Sequence, residues 1–243
     1  ARAAPDGHTM YLLTPSNMGA PAFYRTLPFD VTRDFTPVGR MVWYDHVIAV
    51  NPSLPASNLT ELIALARARP GQLNIGSIAV GNAQHLGVEL FRAMANAPMT
   101  TVTYRSSPEL VNALATGEIQ VAGELLAPTL GQVQAGRIRL LAVTAPTRFP
   151  TLPDVPTSAE SGLPDYIVRS WNAVVFPANT PRPLVEAMNR GIRRALSVPE
   201  VRQRLIELGG LPEASSPEEL AAMIPREVEA WGRMAALAGV EKQ

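Results

Sequence analysis

A chain of 243 residues has room for one large or two medium domains. Its 21 Lys and Arg balance its 21 Asp and Glu, so no net field draws it to nucleic acid or to an anionic membrane. Without cysteine it can form no disulfide, thiolate zinc site, iron–sulfur cluster or cysteine nucleophile, and 47% hydrophobic against 17% charged residues marks a folded α/β chain.

The turn Pro5-Asp6-Gly7 leads into a short apolar run at 10–14, which reads as a strand followed by a loop at Pro15-Ser16-Asn17-Met18-Gly19. Residues 37–44 and 46–50 are rich in β-branched and aromatic side chains and read as two strand passages separated by Asp45. Asn58-Leu59-Thr60-Glu61 has the spacing of a capping box. Leu59, Leu62, Ile63 and Ala66 then share one face of a helix that ends at Pro70-Gly71. A strand at 73–76 passes through a polar turn at 77–82 into a helix around 85–94. A strand at 101–104 passes through Arg105-Ser106-Ser107 into a helix that Ser107 caps, with Pro108 in its first turn.

Further strands are expected at 119–122 and 138–144, with a helix near 128–135 between them. Strands alternating with helices of this length predict a mainly parallel sheet with helices on both faces. The proline-rich segment 149–164 carries Leu152 and Val155 and reads as an ordered loop packed on the surface. A strand at 166–176 carries Trp171. Helices follow from Pro181 to Leu196 and from Pro199 to Leu208, and a capping box at Ser216-Pro217-Glu218-Glu219 opens a last helix to about Leu237.

No apolar run approaches the ~20 residues that span a bilayer, and no basic-then-apolar signal segment opens the chain. The sequence therefore reads as a mature or truncated exported form, or as a cytoplasmic protein. No G-x-S-x-G elbow, phosphate loop, G-x-G-x-x-G or H-E-x-x-H occurs, and His8, His46 and His85 lie in separate segments. No cofactor or metal is expected. What remains is a set of turns that each leave a strand and enter a helix: Ser77 to Asn82, Arg105 to Ser107, and the segment Pro15 to Asn17. In open α/β sheets, ligands bind beyond the carboxyl ends of strands, where helix N-termini converge and favour an anion. Serine and asparagine there are also ordinary caps. Glu124, after the 119–122 strand, faces the same region as a partner for a ligand amine or hydroxyl, or lies in solvent.

Several stretches resemble the substrate-binding receptors of tripartite tricarboxylate transporters, the Bug family. They are Ala3 to Thr9, Leu27-Pro28-Phe29-Asp30 with Asp34-Phe35-Thr36-Pro37-Val38, and Gly76-Ser77 through Gly81 to His85-Leu86. Leu141-Ala142-Val143-Thr144, Leu152-Pro153-Asp154-Val155-Pro156-Thr157, Trp171 and Pro177-Ala178-Asn179-Thr180-Pro181 complete the set, in order along nearly the whole chain. The resemblance implies a periplasmic, monomeric, non-enzymatic protein with a two-lobed type II periplasmic-binding-protein fold. It would close on a small carboxylate and deliver it to membrane transporter subunits. The contact residues carried over are Ser16, Asn17, Ser77, Ile78, Ala79, Gly81, Asn82, His85, Tyr104, Arg105 and Ser106. Ala79 and Ser106 stand where the family usually has glycine, Ala20-Pro21 where it has Asn-Pro, and Glu109 where it has a small residue. The family's first strand-loop-helix unit has no counterpart here.

The resulting expectation is one lobe from 1–47 and 169–243, a second from 48–168, and strands crossing a hinge near residues 47–48 and 169. The competing reading is a small-molecule hydrolase using Ser77 or Ser107 with His85, which requires an acid to orient the histidine. A third is the binding component of a sensor system.

Overall fold

The structure is a computed structural model that describes residues 1–79 and 82–237. In chain order the elements are β1 (Tyr11–Leu13), α1 (Pro15–Phe23), β2 (Phe35–Val50), α2 (Leu59–Ala68), β3 (Asn74–Ile78), α3 (Ala83–Met94), β4 (Thr100–Tyr104) and α4 (Ser107–Thr116). There follow β5 (Val121–Leu125), α5 (Leu126–Gln134), β6 (Arg139–Val143), β7 (Arg169–Pro177), α6 (Arg182–Ser197), α7 (Pro199–Glu207), β8 (Gly210–Pro212) and α8 (Pro217–Leu237). The chain divides into two compact units, Ala1–Trp43 with Ser170–Gln243, and Tyr44–Arg169.

In the first unit β1 runs antiparallel to β7, with Leu12 opposite Val174. Val38, Val174, Phe176 and Val185 form a core against which Met41, Met188 and Ile192 pack. The buried Asn189 amide binds the carbonyls of Val38 (2.8 Å) and Ser215 (2.9 Å), fastening α6 to β2 and to the segment after β8. The indole N–H groups of Trp171 and Trp231 both reach Glu227 Oε2, at 3.2 and 3.3 Å. Two donors thus share one carboxylate oxygen inside apolar packing.

In the second unit the strand order is β4-β3-β5-β2-β6. β3 is parallel to β4 and β5, while β2 is antiparallel to β5 and β6. The sheet is therefore mixed where a mainly parallel one was expected. β3, β4, β5 and β6 run the same way and each is reached through a helix, whereas β2 follows no helix of this unit and runs the other way. Expectation and structure agree on α2, where Asn58 Oδ1 accepts from the Glu61 N–H (2.9 Å) and the Glu61 carboxylate accepts from the Ser57 N–H (2.7 Å). The segment 149–164 is indeed ordered: Thr157 and Ser158 are buried, and the Ser158 hydroxyl donates to the Tyr166 carbonyl at 2.6 Å.

Three local readings are corrected. Pro15 to Asn17 is the start of α1, not a loop: Thr14 donates its N–H (2.9 Å) and hydroxyl (3.2 Å) to Asn17 Oδ1, and Pro15 occupies the first helical position. Residues 35–50 form one strand, not two, because Asp45 is held inside it at 0% exposure by Arg169 Nε, 2.7 Å away. The cap of α4 is Ser106, not Ser107.

Candidate functional site

The second unit brings most of the expected contact residues together at the carboxyl ends of β3, β4 and β5. β3 and β4 run in register, Ile78 opposite Tyr104, and the Ala79 N–H continues the ladder by donating to the Tyr104 carbonyl at 3.1 Å. That bond fixes the turn after β3 beside the turn after β4. Ser77 is fully buried and its hydroxyl lies 3.1 Å from His85 Nδ1. Asn82 caps α3, its Oδ1 accepting from the His85 N–H at 2.8 Å, so cap and histidine are positioned by one hydrogen bond. Burial lowers the His85 pKa, Glu89 opposes this and Arg92 assists it, which keeps the ring neutral.

The α4 side is more occupied. Ser106 Oγ accepts from the Glu109 N–H at 3.5 Å, and Glu109 Oε2 accepts from the Arg105 N–H at 3.1 Å. The chain's own carboxylate thus takes one N–H at that helix start. The Tyr104 hydroxyl donates to Glu118 Oε1 at 3.0 Å, and burial with that bond pushes its pKa up to about 12. Its phenol is committed away from the turn.

Glu124 lies within β5, not beyond its strand, and is 0% exposed. Its Oε1 accepts from Gln84 Nε2 (3.0 Å) and from the Leu125 N–H (2.7 Å). Burial raises its pKa, against weaker lowering by those donors and by Ser107. Gln84 is a member of this cluster that the sequence reading missed. The available signal was a polar residue in the stripe Gln84, Val88, Phe91, whose other members are 0% exposed.

With this geometry in hand, the family model described as "Tripartite tricarboxylate transporter family receptor" matches residues 1–240. The chain belongs to that receptor family. A UPF0065 protein encoded between tcbD and tcbE in Pseudomonas sp. strain P51 is 34% identical over 96% of this chain and 70% of its own length. BugT of Bordetella pertussis is 30% identical over 95% and 72%. Among solved structures, R. palustris Rpa4515 with adipate is 33% identical over 100% of this receptor and 81% of that chain, with a TM-score of 0.89. MatC of Rhodopseudomonas palustris with bound malate is 27% identical over 96% and 80%, with a TM-score of 0.82.

The remaining expected contacts lie elsewhere or outside view. Gly81 lies outside the described residues. Ser16 and Asn17 sit in the first unit of the receptor, on α1. Ser16 is exposed, while Asn17 spends Oδ1 on Thr14 and Nδ2 on the Tyr11 hydroxyl at 3.0 Å. Among the described residues no group of three or more His, Asp or Glu is placed to hold a metal ion, and no helix is long and apolar enough to cross a membrane.

Proposed function

We propose that this receptor works in the periplasm, captures a small carboxylate and passes it to the membrane subunits of a tripartite transporter. The observation that carries this reading is the joined pair of turns after β3 and β4, fixed by the Ala79 to Tyr104 bond. Around it stand a neutral histidine, a buried hydroxyl and two capped helix starts. The positive ends of α3 and α4 favour an anion there. In the tautomer where the Ser77 hydroxyl donates to Nδ1, His85 keeps its proton on Nε2 and offers it to a ligand carboxylate. Ile78, Ala79, Asn82, His85, Arg105 and Ser106 are the proposed contacts in this unit, with the buried Ser77 acting through His85. That Rpa4515 is seen with adipate and MatC with malate supports a carboxylate as the ligand class.

Binding without catalysis is the better account of the Ser77–His85 pair. The hydroxyl is fully buried, and the nearest acid along α3, Glu89, already binds Arg92 and Thr101. A serine nucleophile needs an exposed hydroxyl and an acid on the histidine's second nitrogen. A melting scan tests the proposal. A ligand that binds only the folded form at a hundredfold excess over Kd stabilises it by about 2.7 kcal/mol. Mono- or dicarboxylates should raise Tm, and their amides should not. No shift with any carboxylate, together with His85-dependent ester turnover, would replace the receptor reading with the hydrolase.

A further inference from the structure

One buried acid in the second unit is left without a role by carboxylate capture alone. Glu124 Oε1 is satisfied by Gln84 and the Leu125 N–H, but Oε2 is enclosed and has no hydrogen-bond partner among the described residues. Ser107, at the start of α4, favours the charged form only weakly. Among the described residues, burial is the dominant influence on this carboxylate, followed by Gln84, Leu125 and Ser107, and no cation is among them. Asp45, equally buried, has its charge compensated by Arg169 at 2.7 Å, although its Oδ2, like Glu124 Oε2, has no hydrogen-bond partner among the described residues. An enclosed carboxylate oxygen without a donor is costly, and a donor arriving from outside would remove that cost.

The position of the oxygen says where such a donor comes from. Gln84 is the second residue of α3 and Ser107 the first of α4. The carboxyl group therefore lies between the first turns of the two helices whose caps, Asn82 and Ser106, border the proposed ligand turns. We infer that Glu124 Oε2 accepts a hydrogen bond from the captured ligand, so that the receptor selects acids bearing a hydroxyl or ammonium group over plain alkyl acids. This rests on the carboxylate-receptor reading and narrows it: helix ends and His85 hold the acid, Glu124 reads the donor. Glu124 is thus a specificity-determining residue.

The test is titration calorimetry on the full chain with matched acids. The panel is lactate against propionate, malate against succinate, and 2-hydroxyadipate against adipate, with alanine, aspartate and 2-aminoadipate as the ammonium arm. A hydrogen bond to a charged acceptor corresponds to roughly tenfold or more in affinity. Within the chain length that binds, the hydroxy or amino acid should bind at least tenfold tighter than the plain acid, and E124Q should reduce the gap to about twofold. Preference confined to one arm identifies the donor. Equal affinities in the wild type, a gap unchanged in E124Q, or preference for the plain acid overturns the inference while leaving the receptor reading intact. Binding of none of the acids overturns both. If E124Q does not fold, the wild-type panel alone decides.

Discussion

Glu124→Gln should make the protein more stable, and the gain should depend on pH. Glutamine keeps an acceptor for Gln84 Nε2 and the Leu125 N–H, and it replaces the partnerless, charged Oε2 with a neutral amide. A buried polar atom left unpaired costs about 1–3 kcal/mol, more when charged, and the new amide has its own desolvation cost. The net expectation is about 1–2 kcal/mol at pH 7.5. For a chain of this size that is about 3–6 °C in Tm. The sign follows from linkage. Burial raises the folded pKa above 4.5, so the wild-type residue contributes stability fully below pH 4.5 and loses it as pH rises through the folded value. Urea midpoints for both proteins from pH 4 to 8 should coincide at the acid end and diverge toward neutrality, with E124Q above. A variant less stable than wild type at pH 8, or a difference flat across the range, would refute the reasoning.

Two further outcomes are expected. Burial holds the His46 pKa near 3, so between pH 6.5 and about 3 the unfolded chain takes up a proton that the folded chain refuses. Stability should therefore be full above pH 6.5 and fall on acidification by up to about 1.4 kcal/mol per pH unit, and His46→Gln should flatten that slope in urea midpoints. An unchanged slope would show that other groups carry it. A Cβ on Gly123 would lie 2.4 Å from Val88 Cγ2, so Gly123→Ala should cost about 1–3 kcal/mol by overpacking β5 against α3. The double variant with Val88→Ala should recover part of that loss, and additive losses would contradict the contact.

What the sequence made legible was governed by local rules. Asn58 with Glu61 and the proline-started helices of the last third are short-range devices, so their elements are readable from spacing. The strand-to-helix passages after β3 and β4 were readable for the same reason, although β3 runs on through Ser77 and Ile78, which read as part of a turn. What escaped depended on distant partners. Asp45 looks like a break between strands until Arg169, remote in sequence, pairs with it. Pro15-Ser16-Asn17 has a loop's composition, and only the Asn17 side chain folding back on Thr14 makes it a helix start. Gln84 became a site residue only because β5 ends three residues later than expected and carries Glu124 inward to meet it.

The chain has three tryptophans, and Trp43, Trp171 and Trp231 all belong to the first unit, two of them joined through Glu227. The unit that holds Ser77, His85 and Glu124 has none. Intrinsic indole emission therefore comes entirely from residues of the first unit. A shift in its wavelength on adding an acid registers an event felt in the first unit. Calorimetry and fluorescence applied to one sample thus separate the arrival of a ligand from its propagation, without any label being introduced.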